Sequence, residues 1–524
     1  MEYNLADLFE HSVDHFAERE YLVAGDARRT YAEMEARSNR LAHHLALQGV
    51  GPGDHVGIYG LNSVEWVEAL WAVFKLRAVW ININYRYVEE ELAYLFANAH
   101  LKALLHDPEF TDRVHSVRHS LPELRHQLAF GSEYEAALAA QSPERDFGPR
   151  SGDDLYILYT GGTTGMPKGV VWRHEDVFFA LGGGVDPLTG VKVDKPEDMV
   201  AKGQALGMQL TFLPIAPLMH GATQWSVMGQ SFQGHRTVLV PRFDPHEVWA
   251  LMEAEKANVL FITGDAMARP LVEALEEEPS RGRDLSSMYS VSSTAALFSS
   301  SVKDQFLERF PDVVINDAIG SSEGGANGIL TVQKGRTAMK GGPTVKAVAG
   351  TVVLGDDLRP VEAGSGVVGR VARSGYIPVG YLDDPVKTAE TFVMIDGVRY
   401  VIPGDSAMLE ADGTITLLGR GSQSINSGGE KIFPEEVEVA VKSHPSVWDA
   451  LVVGVPDQRW GERVVVVVQP REGSEPTLES IQEHCRTKLA GYKVPRQIHL
   501  VTAVERSPSG KPDYRWAKAV ATGA

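Results

Sequence analysis

The chain has 524 residues, 44% of them hydrophobic and 23% charged, with a formal net charge of −19. That length exceeds one ordinary domain and allows a large buried core. The acidic balance argues against nucleic acid as a standing partner and against electrostatic attachment to anionic lipid, since both need basic patches. The lone Cys485 excludes internal disulfides, which fits a reducing cytoplasm, and reads as a small packing residue. Met1 to Asp7 is neither basic nor followed by an apolar core, so no signal peptide is expected. No run approaches the ~18 apolar residues of a membrane span. A cytoplasmic protein follows, with a peripheral membrane contact and a homodimer both compatible.

Leu5 to Phe16 carries apolar residues at helical spacing, and Arg37 to Leu47 repeats the pattern before Gly49 and Gly51 stop it. His55 to Tyr59 reads as a strand, and Ser63 opens a helix reaching about Lys75. An apolar run, Leu155 to Leu158, leads into Tyr159–Gly169, which packs four glycines, three threonines and Lys168 into eleven residues. Glycines let backbone N–H groups turn toward an anion, threonine hydroxyls add donors, and the lysine adds a reaching charge. The loop therefore reads as a phosphate cradle, although G-x-x-x-x-G-K-[ST] cannot be laid over it.

Residues 185–207 form a polar, weakly periodic excursion, either a lid or an inert surface loop. Thr237 to Val240, Val259 to Ile262 and Val313 to Ile315 read as strands, which gives an α/β architecture with parallel-rich sheets packed with helices. Asp412-Gly413 marks a hairpin before Leu417-Leu418-Gly419-Arg420, where the large N-terminal unit, 1–418, is expected to end. Beyond it, Pro434 begins a helix with Glu435, Glu436 and Glu438 near its positive end. Strands at 450–454 and 464–468 and a helix from Thr477 to Leu489 complete a small α+β unit, 419–524.

The phosphate-cradle sequence resembles the signature of the adenylate-forming superfamily: acyl- and aryl-CoA synthetases, peptide-synthetase adenylation domains and beetle luciferases. The resemblance is carried by an ordered set of blocks: Pro217-Leu218-Met219-His220-Gly221, Ile319-Gly320-Ser321-Ser322-Glu323, Gly404-Asp405, Gly419-Arg420, Ser427-Gly428-Gly429-Glu430-Lys431 and Ser509-Gly510-Lys511. It implies ATP, Mg²⁺ and CoA as the small molecules handled. Thr160, Gly161, Gly162, Thr163, Thr164 and Lys168 would hold the β- and γ-phosphates. Glu323, with Thr160, would ligate Mg²⁺, a hard cation suited to oxygen donors. Ser322 would contact the α-phosphate, in place of the usual threonine.

Asp405 and Arg420 match ribose-binding positions. Ser293, Thr294, Asp317, Ala318, Ile319, Gly320 and Ser321 would surround the adenine, with Ile319 replacing the usual stacking tyrosine and Ser292 to Ala295 replacing a Gly-Gly-Ala-Pro wall. Lys511 would bridge carboxylate and α-phosphate during adenylation, which places Lys511, Glu323, Lys168 and Thr164 at the chemistry. The family rotates its small domain between two half-reactions, bringing the edge Gly428, Gly429, Glu430 and Lys431 toward CoA. Ser422 stands where the hinge usually has Asp or Lys, so the hinge falls near 420–422.

With no carrier domain after Lys511, a free-standing CoA ligase is favoured over a peptide-synthetase unit. The runs 166–176 and 263–270 resemble a bacterial branch of fatty-acyl-CoA synthetases that includes enzymes acting on steroid side-chain carboxylates. Met219, His220, Gly221 and Trp225 would then line an acyl tunnel, with Met228 and Phe232, or else form plain core. His220 sits at the family's aromatic gate, or is a buried structural histidine. The expected activity is AMP-forming ligation of a medium- to long-chain or bulky apolar carboxylate to CoA. An aryl-CoA ligase, a stand-alone adenylating enzyme and a silent nucleotide-binding relative are the alternatives.

Overall fold

A computed structural model describes residues 1–119, 121–162, 165–186, 189–335, 344–427, 430–508 and 510–523. Three sheets organise the described residues. The first has seven strands in the order Gly380–Tyr381, Gly165–Arg173, Leu155–Gly162, Val79–Asn82, His55–Tyr59, Leu101–His106 and His126–Ala129. From Leu155–Gly162 onward all its pairs are parallel. Such strands are buried on both faces and read as near-continuous apolar runs, as Val79-Trp80-Ile81 does.

The second sheet runs from Glu20 to Arg420 in sequence and changes character halfway. Thr211–Pro214, Val259–Ile262, Ser290–Ser293 and Val314–Ser321 are parallel neighbours. Gly325–Val332, Thr344–Ala347, Thr414–Arg420 and Asp405–Leu409 then follow antiparallel. The parallel-rich architecture thus holds for the first half, and hairpins extend it. The third sheet joins Glu430–Ile432, Ile425–Ser427, Gly461–Pro470 and Val447–Asp457, with Gln497–Leu500 alongside. The chain leaves the second sheet at Arg420 and enters the third at Ile425 through a single 3₁₀ turn, Gly421–Gln423.

Local rules account for several helix starts. Ser63 accepts from Trp66 N and caps Val64–Lys75, and Pro434 occupies the first turn of Pro434–Lys442. The second helix starts earlier than periodicity suggests, at Tyr31, through a Thr30–Glu33 capping box. Its buried face includes Glu35, which bonds Lys75 at 2.7 Å and Arg145 at 2.8 Å. Residues 185–207 are not a plain loop: they contain the helix Asp198–Ala205, anchored by buried Met199 and Val200. Among the described residues no helix is long and apolar enough to cross a membrane.

Candidate active site

The phosphate-cradle residues lie on a hairpin between Leu155–Gly162 and Gly165–Arg173, in which Thr160 faces Lys168 and Gly162 faces Gly165. Gly161 belongs to the first strand, while Thr163 and Thr164 lie outside the described residues. Gly169 packs where a Cβ would come within 2.9 Å of Ile157 and Tyr159, so its smallness is required. Lys168 Nζ is paired with Asp384, which also accepts from Lys387 N at 2.9 Å and caps the helix Pro385–Thr391. The Lys168 ammonium holds the Asp384 carboxyl below its usual range. Lys168 is thus aimed by a carboxylate 216 residues away.

The segment that supplies Asp384 also orients Glu323. Tyr381 pairs with Val170 on the hairpin, and its hydroxyl donates to Glu323 Oε1 at 3.0 Å. Trp172 Nε1 donates to Ser322 O at 3.1 Å, tying the 319–323 block to the same hairpin. Gly320 and Gly325 permit the tight reversal here: Gly325 has φ +69°, and a Cβ on Gly320 would collide with the Gly325 carbonyl. Among the described residues no group of three or more His, Cys, Asp or Glu could cage a metal. One carboxylate beside a phosphate loop does suit Mg²⁺, which takes most of its ligands from phosphate and water.

The residues read as an adenine wall sit at the carboxyl ends of adjacent parallel strands, with Ser293 opposite Asp317. Open parallel sheets bind ligands at such ends. Ser293 Oγ accepts from Gly264 N at 3.2 Å, and Thr294 N donates to Ile262 O. Ala318 and Ile319 continue the strand half-buried, followed by Gly320 and Ser321. Asp317 is buried and paired at 2.5 Å with Lys303, itself fully buried. Burial raises the Asp317 pKa while Lys303 opposes it. The carboxylate is therefore committed to an internal ion pair, and it stiffens the wall. Asp405 and Arg420 are direct cross-strand partners at the open end of the Asp405–Leu409/Thr414–Arg420 hairpin, where the chain leaves the second sheet.

Lys511 lies in a turn closed by Ser507 N donating to Lys511 O at 2.8 Å and Lys511 N donating to Ser507 Oγ at 3.1 Å. The turn is docked on residues that follow strands of both large sheets: a Cβ on Gly510 would lie 2.9 Å from Thr263 O, and Arg86 Nη1 donates to Arg506 O at 3.1 Å. Burial, then the Lys511 charge, then Arg86 push the His220 pKa down to about 3, leaving a neutral imidazole. His220 Nε2 is buried with no hydrogen-bond partner.

Beside His220, Met219 and Trp225 are buried, Trp225 lies edge-on to Tyr156 with centroids 5.5 Å apart, and Gly221 faces Leu158. Trp225, Met228 and Phe232 belong to the main hydrophobic core. Glu430 pairs with Ser427 and Lys431 with Asn426 at the edge of the third sheet, while Gly428 and Gly429 lie outside the described residues. Sequence reasoning missed Tyr381, Asp384 and Trp172, because each acts across a long sequence separation, and Lys303, because its partner Asp317 lies on a different element.

Comparison with known proteins identifies the family of the chain. The chain is 54% identical over 533 residues to the 3-oxocholest-4-en-26-oate–CoA ligase of Rhodococcus rhodochrous, covering 99% of this chain and 96% of that one. It is 51% identical to a medium/long-chain-fatty-acid–CoA/3-oxocholest-4-en-26-oate–CoA ligase of Mycolicibacterium smegmatis, covering 99% and 97%. The crystal structure of the anthranilate CoA ligase AuaEII with anthranoyl-AMP shares the fold, with TM-score 0.87 at 24% identity over 100% and 99% of the chains. Residues 9–379 match the AMP-binding enzyme family and residues 436–511 its C-terminal domain, so the chain belongs to the AMP-binding enzymes.

Proposed function

We propose that the protein is an ATP-dependent, AMP-forming acyl-CoA synthetase for apolar carboxylates, namely medium- to long-chain fatty acids or steroid side-chain acids. The substrate class rests on the names of its relatives and on the buried apolar residues Met219 and Trp225 that flank His220 in sequence. The observation that supports the two-step reading is the docking of the turn that carries Lys511, whose Gly510 packs against Thr263 and Ala266. In the first step a carboxylate oxygen bonds to the α-phosphorus of ATP as the α–β bridging bond breaks and pyrophosphate leaves. Lys511 would hold carboxylate and α-phosphate together, and positioning with charge stabilisation dominates such a step.

Thr160, Lys168 and the hairpin amides would bind the departing phosphates, and Glu323, steadied by Tyr381, would hold the Mg²⁺ that neutralises them. Asp405 and Arg420 would take the ribose. In the second step the CoA thiol bonds to the acyl carbon, the bond to AMP breaks and the thiol proton passes to solvent. Between the steps the unit 419–524 would rotate on 1–418 about residues 420–422, replacing Lys511 with the 428–431 edge.

Pyrophosphate release and thioester formation, measured over dodecanoate, palmitate, a cholestenoate and benzoate with and without CoA, test the proposal. CoA-dependent thioester from the aliphatic or steroid acids is expected. Activity confined to benzoate, or acyl-AMP that CoA cannot discharge, would overturn it.

A further inference from the structure

Two buried asparagines sit beneath the loop that ends at His220. Asn62 donates to Ala216 O at 3.1 Å and Val240 O at 2.9 Å, and accepts from Leu218 N at 2.6 Å. Asn82, the last residue of Val79–Asn82, donates to Met219 O at 2.7 Å and Tyr159 O at 2.9 Å, and accepts from Tyr159 N at 2.6 Å. Both are 4% exposed. The partners permit one orientation of the Asn82 amide, because two carbonyls need the NH₂ group and one N–H needs the oxygen.

The two asparagines differ in what they join. Asn62 ties the gate loop to the neighbouring strand end at Val240 and does not bond the phosphate hairpin. Asn82 bonds the carbonyl of the peptide entering His220 and the carbonyl of the peptide entering Thr160. One planar group therefore holds the gate and the cradle in a fixed relation. If either segment shifts alone, a buried polar group is left unpaired, which the interior penalises heavily. Side chains reinforce the link, since a Cβ on Gly221 would lie 2.5 Å from Leu158 on the hairpin strand.

Given the proposed reaction, we infer that Asn82 is a positioning residue that couples occupancy of the phosphate hairpin to the setting of the His220 gate, so that ATP and carboxylate bind synergistically. Such coupling is reciprocal: each ligand tightens the other by one common factor.

The test is calorimetric binding of α,β-methylene-ATP with Mg²⁺, and of dodecanoate, each measured alone and with the other saturating. In the wild-type protein a mutual tightening of about ten-fold is expected. Asn82→Ala and Asn82→Asp should each bring the factor to within about two-fold of unity, since neither can donate to both carbonyls. Asn62→Ala, with a similar loss of melting temperature, should keep the wild-type factor. Independent binding of the two ligands to the wild-type protein overturns the inference without any variant needing to fold. So does a wild-type factor in either Asn82 variant, or an equal loss in Asn62→Ala. Failure of the wild-type protein to bind either ligand would instead reject the proposed function.

Discussion

Glu435 should make the stability of this protein fall as pH rises. It stands in the first turn of Pro434–Lys442 with its carboxyl against Gly419, and its Oε2 is buried without a hydrogen-bond partner. Burial, the nearby Glu438 and Asp405 outweigh Lys442 and push its pKa from 4.5 to about 8. A carboxyl raised in this way binds more protons folded than unfolded. Its contribution is therefore complete below 4.5 and is withdrawn as pH climbs to about 8.

Each pH step in that window is worth about 1.4 kcal/mol, so the ceiling is about 5 kcal/mol. Glu435 is partly exposed as a whole, and swinging the carboxyl toward water lowers the expected loss to roughly 2–3 kcal/mol. Glu435→Gln keeps the shape and removes the titration. Urea unfolding at pH 5, 6, 7 and 8 should give similar stabilities for both proteins at pH 5 and a Gln variant ahead by that margin at pH 8. Parallel stability profiles across the range would refute the argument.

Lys168→Ala should raise the KM for ATP and lower turnover by about ten-fold or more, since the hairpin loses its directed charge. Asp384→Asn should show a smaller effect of the same sign, because the ammonium is then less well aimed. Glu323→Gln should raise the Mg²⁺ concentration needed for half-maximal pyrophosphate release, and Tyr381→Phe should do so more mildly; titrating Mg²⁺ at fixed ATP checks both. Lys303→Met leaves the buried Asp317 unpaired and should cost about 3–5 kcal/mol by urea unfolding, with the loss smallest in acid, where Asp317 is protonated.

Elements whose cause is local were legible in the sequence. Ser63 and Pro434 mark helix starts by chemistry that needs no tertiary partner, and His55–Tyr59 and Val259–Ile262 match their strands. The helix at Tyr31 was legible only from Arg37, because its first turns bury a charged residue, Glu35, beside Tyr31 and Met34 and so blur the apolar period. Asp198–Ala205 was overlooked since two buried side chains in eight residues give little periodicity. The strand at Val313 to Ile315 runs on to Ser321 because Gly325–Val332 pairs with it, although Gly320 and Ser321 carry little strand preference of their own.

At the site, residues in contiguous motifs could be found by reading along the chain. Their orienting partners could not. Asp384 lies 216 residues from Lys168, Tyr381 58 from Glu323, and Asn82 137 from Met219. Those pairings are products of sheet order, which no single stretch of sequence encodes.

The most direct test of the account separates the two half-reactions in Lys511→Ala. One assay follows acyl-AMP formation from ATP and dodecanoate; the other supplies synthetic dodecanoyl-AMP and CoA. The account predicts a loss on the order of 10²-fold or more in the first and a near wild-type rate in the second, because Lys511 has left the site by then. Equal loss in both assays, with the melting temperature unchanged, would contradict it.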